Sequence, residues 1–309
     1  MSNDAAIRNI WKTAIVRKAL SCDFVMRALL AVSATHMAAY RPDQKHHYLS
    51  HGIAYHDIAS RKAITLMGEM RTEDLEDLWI FSVLTMYFGK RAFSLLKDFQ
   101  SSAQKFRGRL TLVAALGSPR DDRTPLTMGD NLLPEWLFLF NGVHQILFAL
   151  QSTSYAGIVS PITKHGSERW EIAHLPEHKN ANILHDLSAK IDSNTEVGEE
   201  RDIYHFAISE LRCQLSFVLS PSARDLDITD AFVWHFAMAE TFMPLLRRGK
   251  QQAVVIFAHS LITFHAINGS RWLNGWDTFL LSRAWDVLDA EHRLWIQWPI
   301  EEIGWIPPY

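Results

Sequence analysis

The run "LWIFSVLTMYF" (residues 78–88) is apolar nearly all round a helix, and "AVVIFAHSLITFHAI" (residues 253–267) has the same character. A helix with no polar face belongs in the middle of a bundle. The two runs therefore predict a chain built round two buried central helices. Outward from them, "FVMRALLAVSATHMAAY" (24–40) and "YLSHGIAYHDIASRKAITLM" (48–67) place apolar residues at helical spacing. Further helices are expected over 73–91, 92–116, 133–153, 199–219, 227–247, 250–267 and 276–296. Alternating strand patterns closed by Asn-Gly or Asp-Gly turns are essentially missing. The segments 117–135 and 160–180 read as loops from their Gly, Pro and Asp content. The expected fold class is all-α, a single helical bundle domain over residues 1–309.

Composition narrows the function. The chain has 309 residues and a net charge of -3, so it carries no basic footprint for nucleic acid. Its 11 Trp and 17 Phe supply apolar contact area of the kind that lines pockets for hydrocarbon ligands. Cys22 and Cys213 lie in apolar helical patterns and read as buried free thiols; no close cysteine pair offers a zinc site. No signal-peptide pattern and no run of the ~18 apolar residues a membrane span needs is found. A cytoplasmic protein is expected. Metalloprotease His pairs, phosphate-cradling glycine loops and Gly-x-Ser-x-Gly elbows are missing as well. His259 and His265, on the second apolar run, read as hydrogen-bonded core histidines.

Immediately before the first apolar run stand four acids, Glu73, Asp74, Glu76 and Asp77. Thr72 is a good N-cap residue, and acids in a first helical turn favour the positive end of its dipole. That reading suffices for Glu73 and Glu76. Asp74 and Asp77 are i, i+3 neighbours whose face continues into Phe81, Leu84 and Phe88. For them capping and cation binding stand level, because a charge above an apolar stripe is costly unless a cation pairs with it.

Several segments resemble, in the right order, the C-terminal regulatory domain of fungal zinc-cluster transcription factors, of the sterol uptake control type. They are "FVMRALLAVSATHMAAYRP", "TEDLEDLWIFSVLT", "WLFLFNGVHQILFAL", "LLRRGKQQAVVIFAHSLITF", "RWLNGWDTFLLSRAWDVL" and "WIQWPIEEIGW". The resemblance implies an all-helical domain enclosing a hydrophobic ligand pocket. It also meets departures. Met1 stands close before Trp11, where the regulatory pattern begins; if 309 residues are the whole protein, it lacks the six-cysteine DNA-binding module of those regulators, and direct binding to nucleic acid is not expected. Asp74 and Asp77 stand where the pattern has asparagine and a small residue, and Asn141-Gly142 where it has Arg-Gly. "EDLED" also resembles the acidic motif with which class I terpene cyclases hold magnesium. A weaker likeness is to non-canonical fungal sesquiterpene cyclases of the humulene-synthase type, which use a different magnesium cluster and an essential lysine.

Two functions follow as expectations. In the first, the chain is a Mg2+-dependent sesquiterpene cyclase of fungal secondary metabolism, ionising a prenyl diphosphate such as farnesyl diphosphate. Asp74, Asp77 and Glu73 would hold the metal, Asp74, Asp77 and Lys250 would act in catalysis, and Trp79, Phe81, Phe88, Trp234, Phe236, Phe264, Trp272 and Trp276 would wall the pocket. Basic residues are also ordinary at the helix junction that holds Lys250, and that is the simpler reading of it. Glu199, Glu200 and Asp202 offer further ligands or, more simply, cap their own helix. In the second, the same pocket belongs to a sterol- or lipid-sensing module that has lost its DNA-binding part, or that is a fragment of a longer regulator. The acids and the missing module tip the reading to the enzyme. The partner in either case is a hydrophobic small molecule, and a homodimer is left open.

Overall fold

The computed structural model describes residues 4–69, 71–96, 139–151, 156–179, 182–221, 223, 225–267 and 275–308. Among these there is no strand, and the protein is all-α. The chain groups into two compact units. One comprises Asn9–Thr124 and Pro134–Pro161, here the N-terminal unit; the other, the C-terminal unit, comprises Met1–Arg8, Pro125–Leu133 and Ile162–Tyr309. The expected helix 92–116 lies largely outside the described residues, as does the expected loop 117–135. No described helix is long and apolar enough to cross a membrane.

The chain starts with α1 (Ala5–Asn9), which continues through a π-helical turn, Ile10–Ala14, into α2 (Ile15–Ser21). The N-terminal unit is then built from α3 (Asp23–Tyr40), α4 (Lys45–Glu69), α5 (Leu75–Leu96) and α6 (Leu139–Gln151). α3 lies along α4 and α5, and α5 also packs on α6. Small residues let α3 and α4 approach closely. A Cβ added at Gly52 would stand 3.3 Å from both the Ala31 carbonyl oxygen and the Ala34 side chain, and 3.4 Å from the Phe88 ring. A glycine inside a helix costs roughly 1 kcal/mol against alanine, and here it lets the backbones meet. As the apolar run predicts, α5 is the buried centre: Leu78, Trp79, Ile80, Phe81, Leu84, Met86 and Phe88 are all buried.

The C-terminal unit runs through α7 (Ser160–Ala173), α8 (Pro176–Lys179), α9 (His185–Asn194) and α10 (Glu199–Val218). There follow α11 (Ile228–Ala237), α12 (Met243–Arg247), α13 (Gln251–Ala266), α14 (Trp276–Val287), α15 (Ala290–Arg293) and α16 (Gln297–Ile303). α13 is the centre, buried continuously from Ala253 to Phe264 and packed by α10, α11, α14 and α16.

Three expected elements come out differently. Residues 160–173 form a helix rather than a loop. Pro161 is tolerated in a first turn, where its missing N–H leaves no bond unmade, and tertiary partners hold the rest. The expected helix 227–247 is broken between Ala237 and Met243, because Pro244 cannot continue a helix whose preceding turn it would enter. The expected helix 276–296 stops at Leu288, which is extended (φ -74, ψ 137), and restarts with Asp289 as N-cap, accepting from the His292 amide at 2.9 Å.

A buried polar hub fastens α7 to α11. Arg169 reaches Asp230 with two bonds, Nε to Oδ1 at 2.6 Å and Nη2 to Oδ2 at 2.8 Å. Asp230 is fully buried, and with Asp227 it forms a reciprocal capping box at the start of α11. His165 on α7 lies 3.1 Å from Asp227, and Gln214 donates to the Asp230 carbonyl at 2.9 Å. Burial pushes the Asp230 carboxyl above its usual value, against the opposing pull of Arg169.

Candidate functional site

The four acids open α5 through a 3-10 turn, Thr72–Asp74. Thr72 is therefore not the N-cap with a side-chain bond that the sequence suggests. Arg71, in extended conformation, precedes the turn, and the Asp74 amide bonds its carbonyl at 3.0 Å. The turn absorbs the entry into the helix, so no hydroxyl is called upon. Glu73 points into solvent near Arg71, at 3.8 Å. Asp74 is half-buried, with no side-chain partner among the described residues.

Glu76 and Asp77 turn instead toward Lys18 on α2. Its ammonium lies 3.1 Å from Asp77 Oδ1 and 3.6 Å from Glu76 Oε2. The other Glu76 oxygen accepts from the Ile158 amide at 2.7 Å. Burial alone would lower the Lys18 ammonium, but contact with Asp77 and the charge of Glu76 more than offset it and hold its pKa above the ordinary value. Beside this cluster, burial raises the Cys22 thiol to about 11, Asp77 adding to the effect, so the sulfur stays protonated and a poor nucleophile. Nothing in the local sequence pattern links Lys18 to Asp77; their meeting is tertiary.

Asp77 does top an apolar stripe. Phe81, Leu84 and Phe88 are buried below it, and the two rings are packed. Phe81 meets Phe24 at 5.9 Å, and the His56 ring stacks on Phe88 at 4.4 Å and on Phe81 at 6.0 Å. His56 is neutral, its pKa lowered by burial to about 3, with Thr85 and Ser60 hydroxyls at its two ring nitrogens at 3.2 and 3.3 Å. Trp79 differs from these neighbours. It is 5% exposed, and its indole N–H is buried with no hydrogen-bond partner among the described residues.

The remaining candidates belong to the C-terminal unit. Phe264 stacks on Trp276 at 5.7 Å, and both meet Phe232, at 5.2 and 5.7 Å. Trp234 packs on Phe242 at 5.3 Å and donates its indole N–H to the Ala207 carbonyl at 3.0 Å. Phe236 is half-buried, and Trp272 lies outside the described residues. Lys250, the N-cap of α13, pairs with Glu200 at 3.1 Å, and Tyr204 donates to the same carboxylate at 2.8 Å. Burial works against the Glu200 charge, yet the Tyr204 hydroxyl and Lys250 hold its pKa below the usual range. Glu199 and Asp202 stand exposed in the first turn of α10, as capping acids do. Phe232 and His235, which complete the aromatic cluster, were not singled out by the sequence, because one more buried ring in an apolar helix carries no signature.

As to magnesium, the described residues bring no three His, Cys, Asp or Glu side chains together as a metal-ligand set. Glu73 faces Arg71 and Asp77 faces Lys18, which leaves Asp74 as the uncommitted carboxylate of the three named for the metal.

If the Lys18 clamp is structural, Lys18→Met is expected to cost about 1–2 kcal/mol, since it leaves two partly buried carboxylates without their cation. Asp77→Asn added to it is expected to recover part of that loss. Urea denaturation of the parent, Lys18→Met, Asp77→Asn and the double variant checks this as a double-mutant cycle.

Comparison with protein-family models, with curated proteins and with solved structures gives no match for this chain.

Proposed function

We propose that the chain is a binding module for a hydrophobic small molecule bearing an oxygen acceptor, a sterol or related lipid, as the regulatory domains it resembles are. The observation that carries the reading is the Trp79 indole N–H, buried on the central helix without a partner among the described residues. A buried polar donor left unmade costs about 1–3 kcal/mol and calls for an explanation. A sterol hydroxyl is an acceptor of the right kind, and the buried Leu78, Ile80 and Phe81 of the same helix are apolar surface that would suit the rest of such a molecule. The Lys18 clamp supports the same reading, because it supplies the counter-charge that Asp77 needs without any bound metal. A sensor needs no acid at the mouth of its pocket.

The test is binding of a fluorescent sterol to purified protein. The parent is expected to bind saturably, and Trp79→Phe to bind roughly 2–10-fold more weakly, the range expected for one hydrogen bond. Trp79→Phe without ligand is expected to be no less stable than the parent. Sterol affinity unchanged by the substitution, or no binding at all, would sink the proposal.

The magnesium-dependent cyclase is the second reading, favoured by Asp74, whose half-buried carboxylate is uncommitted among the described residues; magnesium is commonly held by one or two carboxylates together with substrate phosphates. Conversion of farnesyl diphosphate to a cyclic hydrocarbon by the parent with Mg2+, lost in Asp74→Asn, would favour it over the sensor.

A further inference from the structure

A second constellation lies in the C-terminal unit, on α9 and α10. Ser188 and Asp192 stand one turn apart on α9, so both project from one face. His205 of α10 sits against that face. Its Nε2 lies 2.9 Å from Asp192 Oδ1, and its Nδ1 lies 3.3 Å from Ser188 Oγ. The carboxylate only accepts, so in the neutral ring the proton is on Nε2. Nδ1 is then left with its lone pair toward the serine, and the Ser188 hydroxyl must be the donor. A serine whose proton already points at a base, with the base oriented by a carboxylate, is the arrangement that activates an oxygen nucleophile. Relative to the usual Ser-His-Asp triad the two ring nitrogens have exchanged partners, which leaves the proton path intact.

The surroundings agree. Arg201 approaches Asp192 at 4.0 Å. Ser188 is half-buried and His205 is 33% exposed, so a small substrate and water can both reach them. Ser188 follows directly on the first turn of α9, which no side chain caps and whose dipole favours developing negative charge.

We propose that Ser188, His205 and Asp192 form an acyl-transfer site for small activated esters. Ser188 Oγ attacks the ester carbonyl while its proton passes to His205 Nδ1. The bond to the alcohol breaks, and the leaving oxygen takes that proton. Water then attacks the acyl-serine by the same route and releases the carboxylic acid. Asp192 positions the ring and stabilises the imidazolium.

The experiment uses the full chain with p-nitrophenyl acetate at neutral pH. A burst of p-nitrophenolate is expected, with an acetyl group mapped to Ser188 by peptide mass spectrometry. Ser188→Ala is expected to abolish both, His205→Gln to slow acylation on the order of 100-fold, and Ser188→Cys to keep the label as a thioester. No adduct at Ser188, or acylation at an unchanged rate in His205→Gln, overturns the proposal and leaves the three residues as a bond network that ties α9 to α10. Because sterol binding is read out at Trp79 in the other unit, either proposal can fail without the other.

Discussion

Replacing Arg169 with methionine is expected to destabilise the protein by about 3–5 kcal/mol, the scale on which removing one partner of a buried ion pair acts. Asp230 is fully buried and takes both of its side-chain bonds to Arg169 within 2.8 Å. Without the guanidinium its charge keeps, among the described residues, only the Asp227 amide, at 2.7 Å, to compensate it. The arginine also lies over the Phe217 ring at 5.0 Å, so some packing goes with the charge. Adding Asp230→Asn removes the stranded charge and keeps an acceptor for the capping box; the double variant is expected to recover a large part of the loss. Arg169→Lys is expected to fall short of the parent, because an ammonium cannot reproduce the two-pronged contact. Urea midpoints of the four proteins decide it. A single variant as stable as the parent would show that the hub adds nothing to the fold.

Acid is expected to act even more strongly. Burial lowers the pKa of His56 and His235 to about 3 and of His259 to about 4. Each would take up a proton near 6.5 once the chain unfolds. The unfolded state therefore binds more protons between that value and the folded pKa, and stability falls as pH is lowered through this window. The contribution is complete above pH 6.5. At pH 5 each histidine has cost the fold roughly 2 kcal/mol, from ~1.4 kcal/mol per pH unit. Together the three approach the ~5–15 kcal/mol that holds a typical domain folded. Asp230, whose pKa burial raises, pulls in the opposite direction but is one group against three. Unfolding between pH 6 and 4 is the expected result, followed by circular dichroism with proton uptake measured at each pH. His259→Gln should lower that uptake by about one proton, because its ring, which now bonds the Val255 carbonyl at 2.8 Å, would no longer titrate. A stability flat from pH 7 to 4 would refute the assignment of these rings as buried and neutral.

The sequence by itself determined that this protein is all-α and which two helices lie at its centre. Hydrophobicity on every side of 78–88 and 253–267 leaves a helix no place but the interior, and that constraint is local to each run. Capping and breaking were legible only in part. Pro244 and Asp289 end or start helices by chemistry visible in the chain, yet they sat inside long periodic patterns that hid them. Residues 160–173 read as a loop because their Gly, Ser and Pro weigh against a helix. What makes them one is the grip of Asp227 and Asp230 on His165 and Arg169, residues far away in sequence.

The same division runs through the candidate sites. That Asp77 caps an apolar stripe of Phe81, Leu84 and Phe88 could be read from i, i+3 and i+4 spacing, and the cost of its charge from elementary electrostatics. Which cation meets that cost could not, since a lysine on another helix and a metal ion answer the same physical demand. Only the packing of α2 beside the start of α5 brought Lys18 there. The Trp79 indole, unpaired among the described residues, and the alignment of Ser188, His205 and Asp192 are likewise products of tertiary structure. A hydrogen bond, made or missing, depends on positions fixed to a few tenths of an ångström, and those positions are set by the packing of whole helices and not by any local pattern of residues.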